Sequence, residues 1–286
     1  MELLHDFATW RFWRHFALKT GACAGALSTA LQVWGIVYPN TAIFRDHPIA
    51  TLTAMLLPSL VVGLIFSWPR PIEVVFSAPN TKIRVVKGDL LKQDQHLVIG
   101  ICDTFDTEIP NIISRNSLQG QALDVLFGGD IRQMDRHISQ ALQGQPIVGS
   151  IKKPGKTEKY GIGTVAVTKH GARRLFFVAY CEMNDRNEAS GTIDNVWKSL
   201  LALWAEVSAH GNGLALSIPV IGGGQARGIS SLLPAQDAIR LIALSFMFAS
   251  RKAKVCDELR IVVTPDNFVR LDRLEIQSFL SSLRPS

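Results

Sequence analysis

The chain has 286 residues, of which 47% are hydrophobic, with four cysteines and a formal net charge of +6. That length admits one large domain or a mid-sized domain with an appendage. The basic residues are scattered, with no Lys/Arg run and no basic stripe interleaved with aromatics, which argues against nucleic acid as a partner. Cys23, Cys102, Cys181 and Cys256 lie far apart without a CxxC pair and read as free thiols of a reducing compartment.

Almost all the charge follows Trp68, so the two halves suit different solvents. Residues 1–19 mix Trp10, Phe12, Trp13 and Phe16 with Arg11, Arg14 and Lys19, the composition of a segment at a headgroup boundary. No charge occurs between Thr20 and Phe44, and about 20 residues cross a ~30 Å hydrocarbon core, so residues 20–38 read as a first membrane span. Tyr38, Pro39 and Asn40 turn the chain into a short polar hairpin at Arg45, Asp46 and His47. Residues 49–68 form a second span, with Pro58 as a kink that membrane helices tolerate. A signal peptide fits poorly, because the small-residue site Ala22-Cys23-Ala24 precedes the apolar run instead of following it. Arg11, Arg14 and Lys19 before the first span, with Arg70, Lys82, Arg84 and Lys87 after the second, outnumber Arg45 between them. Both termini are therefore expected in the cytoplasm. Gly21 and Gly25 have GxxxG spacing, which suits either packing within the hairpin or self-association into a homo-oligomer.

Residues 69–81, which include a strand-like IEVVF between prolines, read as a linker, and residues 82–286 as a separate domain. Residues 82–86 and 97–101 read as strands, Asp130 as the cap of a helix with Ile131, Met134, Ile138 and Leu142 inward, and 164–168 and 175–179 as further strands. Thr192 opens the clearest helix, with Ile193, Val196, Trp197, Leu200, Leu201, Trp204 and Val207 as a broad apolar stripe. Pro234 starts another helix, with Ile239, Ile242 and Phe246 inward. A strand at 259–263 follows, and Thr264-Pro265-Asp266 begins the last helix. The order is α/β, with helices on both faces of a sheet.

In such sheets ligands bind beyond the carboxyl ends of strands. Three loops qualify. Gly88-Asp89-Leu90 follows the first strand, and Asp89 suits either an exocyclic amine or a simple turn cap. Residues 100–121, GICDTFDTEIPNIISRNSLQGQ, form a polar loop of functional length, and its end at Gln119, Gly120 and Gln121 puts helix N-terminal amides where they face an anion. Residues 214–228, LALSIPVIGGGQARG, are a buried strand emptying into Gly222, Gly223, Gly224, Gln225, Ala226 and Arg227. Successive glycine amides there can cradle a diphosphate, and a tight turn is the plainer alternative. No GxxxxGK[ST], G-x-S-x-G or HExxH occurs, and the seven histidines are scattered. No catalytic residue and no metal ligand is assigned. Cys102 reads as a small residue at a crowded strand end rather than as a nucleophile.

Together these loops resemble the macro domain, an ADP-ribose-binding three-layer α/β/α sandwich. The resemblance makes Asp89, with Leu90 beside it, the adenine-binding acid. It places the loop ending Gln119-Gly120-Gln121 and the loop from Gly222 to Arg227 around the diphosphate and distal ribose, with Asp103 toward the ribose or an added group. The family's usual Asn-Ala-Ala-Asn is replaced here by Gly100-Ile101-Cys102-Asp103, and its glycine-rich first loop by residues 117–121, so the resemblance implies sensing, with hydrolysis of ADP-ribose conjugates as the alternative. Two spans followed by this domain and its CDTFDTEIP loop resemble the membrane-anchored macro effectors of Thoeris antiphage defence. That implies a bacterial inner-membrane location and no cofactor. It also implies a partner TIR-domain enzyme that makes an ADP-ribose-derived signal from NAD, a histidine conjugate in this branch. Assembly in the lipid bilayer would then disrupt the membrane and abort infection.

Overall fold

A computed structural model of the chain describes residues 10–39, 46–68, 71–221 and 233–284, the side chain of Arg11 excepted. It divides into two compact units, 1–70 and 71–286.

The first unit holds two helices. α1 is Trp10–Val37, so the aromatic-basic segment and the first apolar run belong to one helix over the described residues. Its 28 residues rise about 42 Å, more than a ~30 Å hydrocarbon core requires. α2, Pro48–Ser67, opens on a proline at a position that needs no amide donor and runs on through Pro58. Both helices are long and apolar enough to cross a membrane. Four of their hydroxyls are satisfied within the helix: Thr29, Thr51, Thr53 and Ser59 each donate to the carbonyl four residues back. The helices pack where Gly63 admits Thr20 and Phe16, since a Cβ on Gly63 would collide with the Thr20 hydroxyl. Gly21 and Gly25 have no neighbour within 4 Å of such a Cβ, so the GxxxG face takes no part in this contact.

The second unit is built on a mixed sheet in the order β1-β2-β10-β9-β3-β7-β6. β1 (Ile72–Phe76) and β2 (Thr81–Lys87) pair antiparallel. β2, β10 (Glu258–Val263), β9 (Leu216–Pro219), β3 (His96–Cys102) and β7 (Arg173–Met183) run parallel, and β6 (Val165–His170) returns antiparallel to β7. The sheet thus begins at Ile72, inside the stretch read as a linker, where Ile72, Val74 and Phe76 enter the core. α3 (Leu118–Phe127) and α4 (Ile131–Ala141) pack together and against β3 and β6. α5 (Ile193–His210), α6 (Ala235–Lys252) and α8 (Arg273–Ser282) form a second group against β7, β6 and β1. The short α7 is Pro265–Val269.

Burial shows which strands are covered twice. β3 buries all but Gly100, so both its faces meet apolar atoms, as expected of a central parallel strand. β2 alternates, with Thr81, Ile83 and Val85 inward. Its other face carries a charge ladder in which Glu73 meets Lys82 at 2.9 Å and Arg84 at 3.0 Å, and Arg84 reaches Glu258 at 3.5 Å. α5 is narrower in its burial than its composition suggests: Val196, Leu200, Leu203, Trp204 and Val207 are inside, while Ile193 and Leu201 are exposed. Trp204 Nε1 donates to Ser245 Oγ at 3.0 Å, locking α5 to α6.

One element has no counterpart in the sequence reading. β4 (Ile147–Ser150) and β5 (Glu158–Tyr160) make a separate two-stranded hairpin between α4 and β6. The short β8 (Ala189–Ser190) pairs with the end of β7.

Candidate functional site

The chain leaves β3 toward β7 and leaves β9 toward β10, on opposite sides of two adjacent strands. Divergence of this kind opens a crevice at the strands' carboxyl ends, the ordinary ligand position in an open α/β sheet. Residues 88–92 and 103–117 leave that edge, as does the chain at Val220 and Ile221.

On the β2 side, the Gly88 amide donates to the Val263 carbonyl at 2.9 Å, setting the turn. Asp89 is exposed, and its Oδ1 accepts from Leu91 N at 3.0 Å, capping the 3-10 turn Leu90–Lys92. Its other oxygen has no partner among the described residues. Asp89 therefore acts as a cap and keeps a free acceptor. Leu90 is a core residue, 4% exposed, so its side chain belongs to the packing beneath the turn.

On the β3 side the arrangement is different. Asp103 is buried, with Oδ1 accepting from Met183 N at 2.8 Å and Oδ2 paired with Lys159 at 2.9 Å. Burial raises its pKa, opposed by the Lys159 ammonium and the Met183 amide. Both oxygens are engaged, so Asp103 ties β3 to β7 and β5 rather than facing an open crevice. Gln119 is also buried, and Nε2 donates to the Asp106 carbonyl at 2.6 Å. Gly120 is a packing necessity: a Cβ there would sit 2.5 Å from the Arg115 carbonyl and 2.6 Å from that of Ser114. Gln121 is exposed and folds back onto the Asn116 carbonyl at 3.0 Å. Ser117 caps α3 by accepting from Gly120 N at 3.1 Å. That leaves the amides of Leu118 and Gln119, at the positive end of the helix, without a partner among the described residues.

What holds this side lies in residues the sequence reading passed over. Asp106 is 1% exposed, and its carboxylate accepts from Thr104 Oγ1 at 2.6 Å, Lys153 Nζ at 2.6 Å and Lys156 N at 2.7 Å. The Lys156 ammonium turns to Asp135 at 2.6 Å, which also accepts from Thr107 at 2.8 Å. Burial alone would raise Asp135, but these two donors outweigh it and lower its pKa. Lys153, Lys156 and Lys159 thus engage Asp106, Asp135 and Asp103. A spacing of three in both the lysines and the pair Asp103 and Asp106 is the signal that was available. Buried Phe105, at φ 50°, sits in the strained part of this loop against Tyr160, ring centroids 5.4 Å apart. Outside it, Thr107, α4 and the hairpin turn enclose an open groove of ≈ 630 Å³ that Arg132, Arg136 and Lys156 line.

Two further features concern chemistry. Cys102 is buried with its Sγ 2.9 Å from that of Cys181, and the hydrogen bond between them, with burial, pushes the Cys181 thiol well up, so the pair packs the strand ends as thiols. A Cβ on Gly100 would strike the Tyr180 ring, which fills the space that a longer residue would need. Among the described residues no group of three or more His, Cys, Asp or Glu side chains is placed to hold a metal. Gly222, Gly223, Gly224, Gln225, Ala226 and Arg227 lie outside the described residues.

The sheet from β2 to the end of β10 is also the region that matches a known family: residues 83–264 match the family model of the Thoeris protein ThsA macro domain. The chain belongs to this family. Within reach of that assignment, the Thoeris protein ThsA of Bacillus amyloliquefaciens (strain Y2) is 20% identical over 213 residues, covering 72% of this chain and 70% of the relative. Among solved structures, the Oceanobacillus iheyensis macrodomain with ADP is similar at 12% identity and a TM-score of 0.47, over 75% of this chain and 96% of that one. The Trypanosoma brucei macrodomain in complex with ADP-ribose is similar at 12% identity and a TM-score of 0.45, over 73% and 72%. The ThsA macro-domain match begins on β2 and ends just past β10, so it spans every strand that delivers a loop to the crevice.

Proposed function

We propose that this chain is a membrane-anchored effector of Thoeris antiphage immunity whose macro domain senses an ADP-ribose-derived signal. The observation that carries the reading is the ThsA macro-domain match over the sheet whose strand β2 leads into Asp89. In this proposal the free oxygen of Asp89 receives the adenine amine. Gly222, Gly223, Gly224, Gln225, Ala226 and Arg227 cradle the diphosphate, and the amides of Leu118 and Gln119 face the anionic or ribose end. Gln119, Gly120, Gln121 and Asp103 build that wall from within.

The signal is proposed to be a histidine conjugate of ADP-ribose, made from NAD by a TIR-domain partner. The two apolar helices would anchor the chain in the inner membrane with both termini cytoplasmic, and Gly21 and Gly25, unused in the helix pair, would serve homo-oligomerisation and membrane disruption. The chain is proposed to bind without turnover, because Asp103 and Asp106 have both oxygens engaged, Asp89 is committed to a turn cap and the adenine amine, and the Cys181 thiol is pushed well up. Calorimetric titration of the detergent-solubilised chain with ADP-ribose and with its histidine conjugate, with the ligand weighed by mass spectrometry afterwards, tests this. Saturable binding with the ligand intact is expected. Conversion of the ligand would make the protein a hydrolase, and no heat from either compound would remove the sensing role.

A further inference from the structure

Among the described residues of the second unit, the most deeply buried ion pair joins the β4–β5 hairpin to the loop after β3. Lys153, at the turn of the β4–β5 hairpin, meets Asp106 at 2.6 Å with the ammonium 0% and the carboxylate 1% exposed. Removing two charges from water is expensive, and it is tolerated only where the remaining hydrogen-bond positions are filled. Here they are: Asp106 also accepts from Thr104 and Lys156 N, and Lys153 also donates to the Pro154 carbonyl at 3.1 Å. A hairpin that contributes no strand to the main sheet thus commits its one buried charge to a single loop.

The connection runs on from that loop. The Asp106 carbonyl accepts from Gln119 Nε2 at 2.6 Å, and Gln119 lies in the first turn of α3. That turn carries the amides of Leu118 and Gln119, which have no partner among the described residues. Its approach to residues 114–115 is so close that Gly120 has no room for a methyl group. We infer that Lys153 is a positioning residue for ligand binding: through Asp106 and Gln119 it fixes the helix N-terminal amides that face the ligand. The inference rests on the proposed ADP-ribose reading. It adds the hairpin turn, which contributes no strand to the main sheet, to the machinery of the site. Preformed donors do not have to be ordered when the ligand arrives, and affinity gains by that difference.

The test uses the full chain in detergent with ADP-ribose as the calorimetric probe. Lys153→Met leaves a buried carboxylate uncompensated, and binding is expected to weaken at least tenfold while far-UV circular dichroism is unchanged. Adding Asp106→Asn removes that charge, keeps the shape and the acceptor for Lys156 N, and is expected to restore affinity to within about threefold of the parent. A role in overall stability alone would move the urea midpoint of the single variant and leave the affinity of its folded chain at the parental value. Should Lys153→Met fail to accumulate folded, Lys153→Gln is measured with the same two expectations. Parental affinity in the single variant, or no recovery in the double, overturns the positioning role. Binding by the parent chain separates this from the ligand reading, because a parent that does not bind ADP-ribose removes that reading itself.

Discussion

The two walls of the strand-end crevice are built on opposite plans. The β2 wall is a short turn held by one backbone hydrogen bond and one Asp89 cap, and its carboxylate keeps an acceptor free. The β3 wall is a long loop whose two buried acids have both oxygens engaged, Asp103 by Lys159 and Met183, Asp106 by Lys153 and Lys156 N. An exposed carboxylate with one oxygen unpaired can accept from a ligand, while a buried one with both oxygens engaged holds the protein. On the proposed reading, the β2 wall would offer a side-chain acceptor and the β3 wall preformed backbone amides, a division between two loops that look equally functional as sequence.

The contrast breaks first at Asp106. Asp106→Ala would leave the buried Lys153 ammonium without its partner, and a loss of about 3–5 kcal/mol of unfolding free energy in urea is expected. A smaller effect comes from the glycines of the two walls. Gly120→Ala drives a methyl into two carbonyls at 2.5 and 2.6 Å and should cost about 1–3 kcal/mol. Gly88→Ala meets only Gln93 Nε2 at 3.6 Å and should change stability by less than about 0.5 kcal/mol. Asp89→Ala removes one cap, about 1 kcal/mol of stability at most, yet should abolish calorimetric binding of ADP-ribose. Asp89→Asn should recover the stability but not the binding.

A pH effect isolates stability from the site. His96 lies at the far end of β3, with Nδ1 accepting from Arg174 N at 3.0 Å and Nε2 donating to the Gly211 carbonyl at 3.1 Å, which is a neutral ring. Burial lowers its pKa below the ordinary 6.5. In the window from 6.5 down to that lowered value the unfolded chain binds the extra proton, so stability is lost as pH falls through it. Thermal melts of the full chain between pH 7.5 and 5 should show the decline, and His96→Gln should flatten it.

Much of the fold was legible in the sequence because it rests on local apolar runs: β2, β3, β6, β7, β9 and β10 are such runs, and the cap residues Asp130 and Thr192 begin α4 and α5 as their chemistry requires. The hairpin was not, since its strands have four and three residues with no period-two pattern, and the apolar Ile147 and Val148 of β4 are exposed. Its stability comes from charges supplied by the loop it clamps. Asp103 was misread for the same reason, because its partner Met183 is 80 positions away and a pairing of that range leaves no local trace. Asp89 was legible, as the residue after a strand-ending glycine, though its dual use as cap and free acceptor required the structure.

Hydrogen exchange of the full chain, followed by mass spectrometry with and without ADP-ribose, tests the division of labour most directly. If the β3 wall is preformed, residues 103–121 are protected before ligand is added and change little, while residues 88–92 gain protection on binding. Fast exchange across 103–121 in the free chain, followed by strong protection with ADP-ribose, would contradict it.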